Sequence, residues 1–315
     1  MSLHPPILPA LEGAVRLADW GVIRAVGDDA RKFLHGQLTQ DVEHLETGHA
    51  RLAGYCSAKG RLLATFVMWC RTPGEVLLAC SADVLPTVLK RLQMFVMRAK
   101  CKLSDASAEL PLWGLAGTST LQSLGDAALA TPWGRGGTEG ADTIRLPDAV
   151  VAGTALPRLL WAGGAPPALP ELAADTWRWL EVRSAVPRVT AATMEQFVPQ
   201  MVNLELVGGV NFQKGCYPGQ EIVARSQYRG TLKRRAQVLE SAVALAPGQE
   251  VFNDNDPEQP AGMVVLSGSL PGGTHAALVE LKLAALHSGA LHAGAASGPL
   301  LTLAALPYAM PAEAA

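Results

Sequence analysis

The sequence predicts an α+β fold followed by a small all-β domain, and three observations carry that reading. Two strand-like apolar runs followed by an amphipathic helix occupy the first third, the grammar of α+β proteins rather than of doubly wound parallel sheets. Short apolar runs split by turn dipeptides fill the last ~80 residues, as in a small antiparallel barrel or sandwich. The 315-residue chain is 49% hydrophobic and 17% charged, enough apolar side chain to bury a large core and exclude general disorder.

The first predicted helix spans Asp29 to about Leu38, capped by Asp28 or Asp29, with Phe33 and Leu34 on one face. Leu62 to Cys70 and Glu75 to Cys80 read as strands joined into a hairpin by Thr72-Pro73-Gly74. Asp83 is the expected cap of a helix with Leu85, Val88, Leu89, Leu92, Phe95 and Val96 at helical spacing. Residues 131–170 are rich in Gly, Ala and Pro, and 163–167 read as a linker or long loop. A helix from Asp175 to Ser184 turns Trp177 and Leu180 inward, and Thr193 to Leu206 reads as helical or partly helical. The expected strands beyond Arg235 are Ala236–Glu240, Gln249–Phe252, Met263–Ser267, Ala276–Leu281 and Leu300–Leu303. The domain boundary falls near 230, dividing 1–230 from 231–315.

The net charge of −2 provides no global field for nucleic acid or an anionic membrane, so such a partner needs a local patch. Two basic runs qualify: Arg225, Arg229, Lys233, Arg234 and Arg235, and Lys90, Arg91, Arg98, Lys100 and Lys102. The second reads equally well as solvated surface. No apolar stretch is long enough to span a membrane and no signal peptide is evident, so the expected location is the cytoplasm. Five cysteines, an odd count without a CxxC pair, argue against a disulfide framework and a preformed zinc site. Cys56, Cys70, Cys80 and Cys101 lie among apolar neighbours and read as core thiols. Seven Trp outnumber four Tyr.

Several familiar signals fail. In Gly54-Tyr55-Cys56-Ser57-Ala58-Lys59-Gly60 the Lys and final Gly stand in the wrong order for a phosphate loop. Gly134-Arg135-Gly136-Gly137 lacks the context of a dinucleotide loop and reads as a flexible turn. No HExxH or GxSxG is present.

The informative segment is PQMVNLELVGGVNFQKGCYPGQEIVARSQYRGTLKRR, from Pro199 to Arg235. Lys214, Cys216, Tyr217, Gln220, Glu221 and Arg225 crowd together there, with Gly215, Pro218 and Gly219 around the cysteine. A lysine two residues away favours the thiolate, Tyr217 offers a stacking face, and Gln220 and Glu221 suit a polar heterocycle. The plainer alternative is a tight turn with a buried cysteine.

KGCYPGQE resembles the KGCYxGQE signature of the YgfZ family, relatives of the glycine-cleavage T-protein. The flanking stretches and FLHGQLTQDV, Phe33 to Val42, fit the same family. The resemblance covers about residues 20–240 in patches. It implies a T-protein-like folate-binding platform of two interleaved α+β subdomains, one ferredoxin-like, followed by a C-terminal antiparallel β-barrel. It implies tetrahydrofolate, or a polyglutamylated derivative, as cofactor. The implied role is support of iron–sulfur protein maturation or repair, including tRNA-modifying enzymes, with iron–sulfur proteins or their assembly machinery as partners; independently of the resemblance, the basic run from Arg225 to Arg235 suits a weak tRNA contact. Cys216 is then the functional thiol with Lys214 beside it. Asp41, Asn203, Tyr217, Gln220, Glu221 and Arg225 are the implied folate-binding positions.

Two departures stand out. Where related T-proteins carry an acidic residue for methylene transfer, this chain has Ala64 and Thr65, neither of which holds a negative charge at neutral pH. The alternative function, a folate-dependent aminomethyl or one-carbon transferase, is weakened accordingly. The family's pterin-facing glutamate aligns with Arg183, leaving Glu181, through a register shift, or Glu221 as its replacement.

Overall fold

The computed structural model describes residues 11–138, 140–228 and 232–311. The elements begin with β1 (Gly13–Arg16), β2 (Trp20–Val26), α1 (Ala30–His35), β3 (Ala50–Cys56), β4 (Leu62–Thr72) and β5 (Glu75–Ser81). Then come α2 (Leu85–Val96), β6 (Lys102–Asp105), β7 (Leu112–Ala116), α3 (Thr118–Leu124), β8 (Arg135–Thr138), β9 (Ala141–Val151) and β10 (Thr154–Gly163). α4 (Ala174–Arg183) and α5 (Gln220–Tyr228) precede the strands β11 (Arg234–Ser241), β12 (Glu250–Asn253) and β13 (Asp256–Leu270). The last strands are β14 (Thr274–Lys282), β15 (Leu291–Ala293) and β16 (Leu300–Ala304).

β2 to β6 form one antiparallel sheet in the order β3-β4-β5-β2-β6. Without β3, its β2-α1-β4-β5-α2-β6 succession is the ferredoxin-like arrangement. β1 belongs instead to a second sheet, β1-β7-β10-β9-β8, so the chain begins in one subdomain, builds the other and returns. The two are interleaved, as the resemblance implies. β11 to β16 close into a barrel.

Strand pleating explains what each face of the first sheet does. Phe66, Met68 and Cys70 on β4, with Leu78 and Cys80 on β5, pack beneath α1 and α2. The alternate residues Val67, Trp69, Leu77 and Ala79 join the main core on the other face. Asp142 on β9 links the sheets: its carboxylate accepts from Trp69 Nε1 at 3.0 Å and Arg71 Nε at 2.7 Å, and from Arg135 on β8.

Several expectations change. α1 ends at His35 rather than Leu38, and its N-terminal Asp29 does not cap it. The Asp29 carboxylate accepts from the backbone N–H of Lys100 at 2.8 Å. Asp83 likewise accepts from Ala191 N at 2.9 Å, while Val84 holds the cap position of α2. Distant backbone donors thus outcompete the local caps. The glycine-rich 134–137 stretch is largely strand β8 rather than a flexible turn; Gly136 packs against the Asp126 carboxylate. Residues 131–170 hold three strands of the second sheet. The stretch from 193 to 206 contains a short 3-10 turn at Pro199–Val202 and no α-helix.

α4 starts one residue before the predicted helix and packs between the second sheet and the barrel. Gly114 on β7 accommodates the buried Trp177 ring, since a Cβ there would stand 2.5 Å from it. Gly268 on β13 lets the barrel backbone approach that of Trp179. The predicted barrel strands are present; the sixth, β15, has only three residues and too little pattern to read.

Candidate functional site

A narrow cleft opens between the two sheets. Trp20 at the start of β2, Thr65 and Val67 on β4, Trp133, Arg158 on β10 and the stretch from α4 to Arg188 line it. The pleat directs Thr65 into the cleft, whereas Ala64 belongs to the core beneath the helices. The Thr65 hydroxyl accepts from the backbone N–H of Val189 at 3.1 Å.

Glu181 is the acidic residue of this lining. Its carboxylate accepts twice from Arg188, Nε to Oε1 and Nη2 to Oε2, both at 3.1 Å. Arg188 also donates to Ser81 Oγ at 2.9 Å and Asp19 Oδ2 at 3.1 Å, and lies 4.8 Å from the Trp20 ring centroid. Burial pulls its pKa down, but Glu181 and Asp19 more than offset this and hold it above the ordinary value. Arg158 is held against the Trp177 ring, and burial pulls it down to about 10.

Arg183 follows Glu181 by two residues, about 200° around the helix, and points elsewhere. It donates to Val150 O at 2.9 Å and pairs with Glu240 of the barrel at 3.1 Å. Glu181 therefore reaches the cleft from its own helical position. Glu221 is exposed on α5 and does not line the cleft, which counts against it as the pterin-facing replacement.

The KGCYPGQE loop forms a different place in the fold. Cys216 is exposed, against the plainer expectation of a buried cysteine in a turn. The other cysteines behave as core thiols: Cys56, Cys70 and Cys80 are buried, Cys101 half-buried, and burial pushes Cys56 and Cys80 up to about 12. Lys214 Nζ donates to Leu38 O at 2.8 Å and to His35 O, docking the loop on carbonyls at the end of α1 and just beyond it. Burial pulls its pKa down to about 8. Its ammonium lies 4.9 Å from the Tyr217 ring centroid, and Tyr217 is buried, so that face is not free for a ligand.

Asp41 joins this loop region. Its carboxylate contacts His35 Nδ1 at 3.1 Å and His44 Nδ1 at 2.8 Å. Burial works against its charge, but bonds from His44 and the charges of His44 and His35 hold it below the usual carboxylate range. Asn203 faces neither place. Fully buried at φ 58°, it donates to Ala236 O at 2.9 Å and joins the platform to the barrel. Gln220 opens α5, and Glu221 and Arg225 follow on its outward side with Tyr228 around a shallow depression.

The basic run is also divided. Arg234 pairs with Glu280 at 2.8 Å and Arg235 with the buried Glu205, while Arg229 lies outside the described residues. Among the described residues, no helix is long and apolar enough to cross a membrane. Sequence reasoning missed Trp20, Trp133, Arg158 and Arg188; the surplus of tryptophan was the available signal for the first two.

The arrangement of two interleaved sheets and a barrel is that of the T-protein class. Aminomethyltransferase T of the glycine cleavage system from Bartonella henselae matches over 95% of this chain and 88% of its own, with a TM-score of 0.66. At 14% identity that likeness establishes the fold. No family model matches the chain. The tRNA-modifying protein YgfZ of Photobacterium profundum is 31% identical over 249 residues, covering 74% of this chain and 70% of the relative. That of Vibrio vulnificus is 32% identical over 247 residues, covering 75% and 72%. The chain belongs to the YgfZ family.

Proposed function

We propose that this protein binds tetrahydrofolate, or a polyglutamylated derivative, in the cleft between the sheets. In this reading it supports, in the cytoplasm, the maturation or repair of iron–sulfur proteins, tRNA-modifying enzymes among them, through the Cys216 thiol. The observation that carries the folate reading is the cleft itself. It combines aromatic walls from Trp20 and Trp133 with one carboxylate and buried guanidinium groups, a donor and acceptor set suited to a pterin and an anionic tail. Trp20 Nε1 is buried there without a hydrogen-bond partner, an unused donor for a bound heterocycle. Glu181 would accept from the pterin, and Arg158 would meet its carbonyl or tail.

The side chains that β4 presents to the cleft include Thr65 and Val67 and none that carries a charge at neutral pH. This favours a binding or accessory role over aminomethyl transfer. The curated relatives are named for tRNA modification, which supports that part of the reading. A lone exposed thiol cannot hold a cluster, which takes about four protein ligands, so Cys216 acts together with a partner's groups or an external thiol.

Titration calorimetry of tetrahydrofolate tests the cleft: Glu181→Gln is expected to weaken binding at least tenfold, the loss of about 1.4 kcal/mol. Unchanged affinity would reject Glu181 as the ligand partner, and no binding by the wild type would reject the folate reading. The thiol is tested by Cys216→Ala, which should fold normally yet fail to restore an iron–sulfur-deficient strain; full restoration would overturn that role.

A further inference from the structure

The cluster around the KGCYPGQE loop contains a base that the motif does not include. His35 ends α1 and is largely buried, its side chain 15% exposed. An ionised carboxylate only accepts hydrogen bonds, so the contact with Asp41 Oδ1 at 3.1 Å fixes Nδ1 as the donor. In the neutral ring, Nε2 then carries the lone pair. That nitrogen faces the thiol loop: a Cβ placed on Gly215 would stand 3.5 Å from Nε2 and 4.0 Å from Cδ2 of the same ring. Cys216 is the next residue and is exposed. Lys214 anchors the loop to α1 on the other side through His35 O and Leu38 O.

We propose that His35 is the proton acceptor for Cys216 and that Asp41 is the positioning residue that holds the ring for it. The Cys216 S–H bond breaks, the proton moves to His35 Nε2, and a thiolate–imidazolium pair results. This is the logic of an activated nucleophile: thiol, base, and a carboxylate that orients the base. The contact need not be closed in the free protein, because such bonds commonly tighten only when the site is engaged. Other charges share the region. Asp41 faces the far nitrogen and also accepts from His44. Lys214 is a further cation of the region and Glu43 a further carboxylate. The proposal deepens the reading of Cys216 as the working thiol. It names that thiol's substrate class as an electrophile or an exchangeable sulfur group met at neutral pH.

The test is the pH profile of Cys216 alkylation by iodoacetamide, read by mass spectrometry of its peptide, in the wild type, His35→Gln and Asp41→Asn. Glutamine keeps a hydrogen bond to Asp41 but has no basic nitrogen, so a purely structural role would survive it. His35→Gln is expected to slow alkylation about tenfold at pH 7 and to move the midpoint up by about one unit, with the high-pH plateau unchanged. Asp41→Asn should move it in the same direction by less. Superimposable profiles, or one uniform change at all pH values, would overturn the proposal. If His35→Gln fails to fold, NMR titration of His35 in the wild type and in Cys216→Ser decides. Loss of the thiolate should lower the His35 midpoint, and an unchanged midpoint overturns the pairing. Neither measurement requires folate, so tetrahydrofolate calorimetry on the same wild type distinguishes failure of this proposal from failure of the folate reading.

Discussion

The ion pair at the back of the cleft offers the sharpest test of how the site is held. Glu181 and Arg188 are 6% and 7% exposed and joined by two 3.1 Å bonds. Removing one partner of such a pair leaves a buried charge alone and costs about 3–5 kcal/mol, whereas replacing both with apolar groups is nearly neutral. In Glu181→Leu, Arg188 keeps Asp19 at 3.1 Å and Ser81 at 2.9 Å, so a loss near the low end, about 3 kcal/mol, is expected. In Arg188→Met, Glu181 loses both bonds, and about 4 kcal/mol is expected. The double variant should lose only about 1–2 kcal/mol, which makes the coupling several kcal/mol. Urea unfolding followed by tryptophan fluorescence measures this, because Trp20 lies directly beside Arg188. A coupling below about 0.5 kcal/mol, with unchanged m-values, would refute the view that this pair frames the cleft.

Three further outcomes are expected. Thiol titration of the native protein should label Cys216 rapidly while Cys56 and Cys80, buried and pushed up to about 12, react only on unfolding; rapid labelling of either would contradict their burial. Asn203→Ala should destabilise the protein by about 2 kcal/mol through the lost bond to Ala236 O and the left-handed backbone, and Asn203→Gly by less, measured as a urea midpoint. Lys214 is pulled down to about 8, so between pH 8 and its ordinary range of about 10.4 the unfolded chain binds the extra proton and stability rises with pH. Lys214→Met should abolish that increment; an identical pH dependence in both proteins would show that the ammonium is not desolvated in the fold.

What the sequence reveals depends on how far apart the cooperating residues lie. The β4–β5 hairpin was legible because its turn and both strands are contiguous, and the apolar spacing of α2 needs only twelve residues. The caps expected at Asp29 and Asp83 do not form because their carboxylates take donors from Lys100 and Ala191, which no local rule contains. β8 does not look like a strand in the sequence because its glycines follow from the packing of Asp126 and β9, not from turn chemistry. The same reason divides the site. The thiol loop is one linear motif and was visible. The cleft draws Trp20, Thr65, Trp133, Arg158 and Glu181 from separate segments, and they meet only when the second sheet closes on the first.

That division has a mechanistic consequence. The linear motif invites a single site in which Lys214 activates Cys216 while Tyr217, Gln220 and Glu221 hold the pterin. The fold assigns those residues differently. Lys214 binds carbonyls at the end of α1 and just beyond it and covers Tyr217, Glu221 stands outside on α5, and no residue of 211–228 lines the cleft. Folate in the cleft and chemistry at the thiol are then separable properties, connected through the first sheet, which offers Thr65 to the cleft on one face and packs α1, with His35 at its end, on the other. A variant that loses folate affinity at Glu181 should accordingly keep the alkylation profile of Cys216. If that profile moves with Glu181→Gln, the two places form one site and the motif's simpler reading is restored.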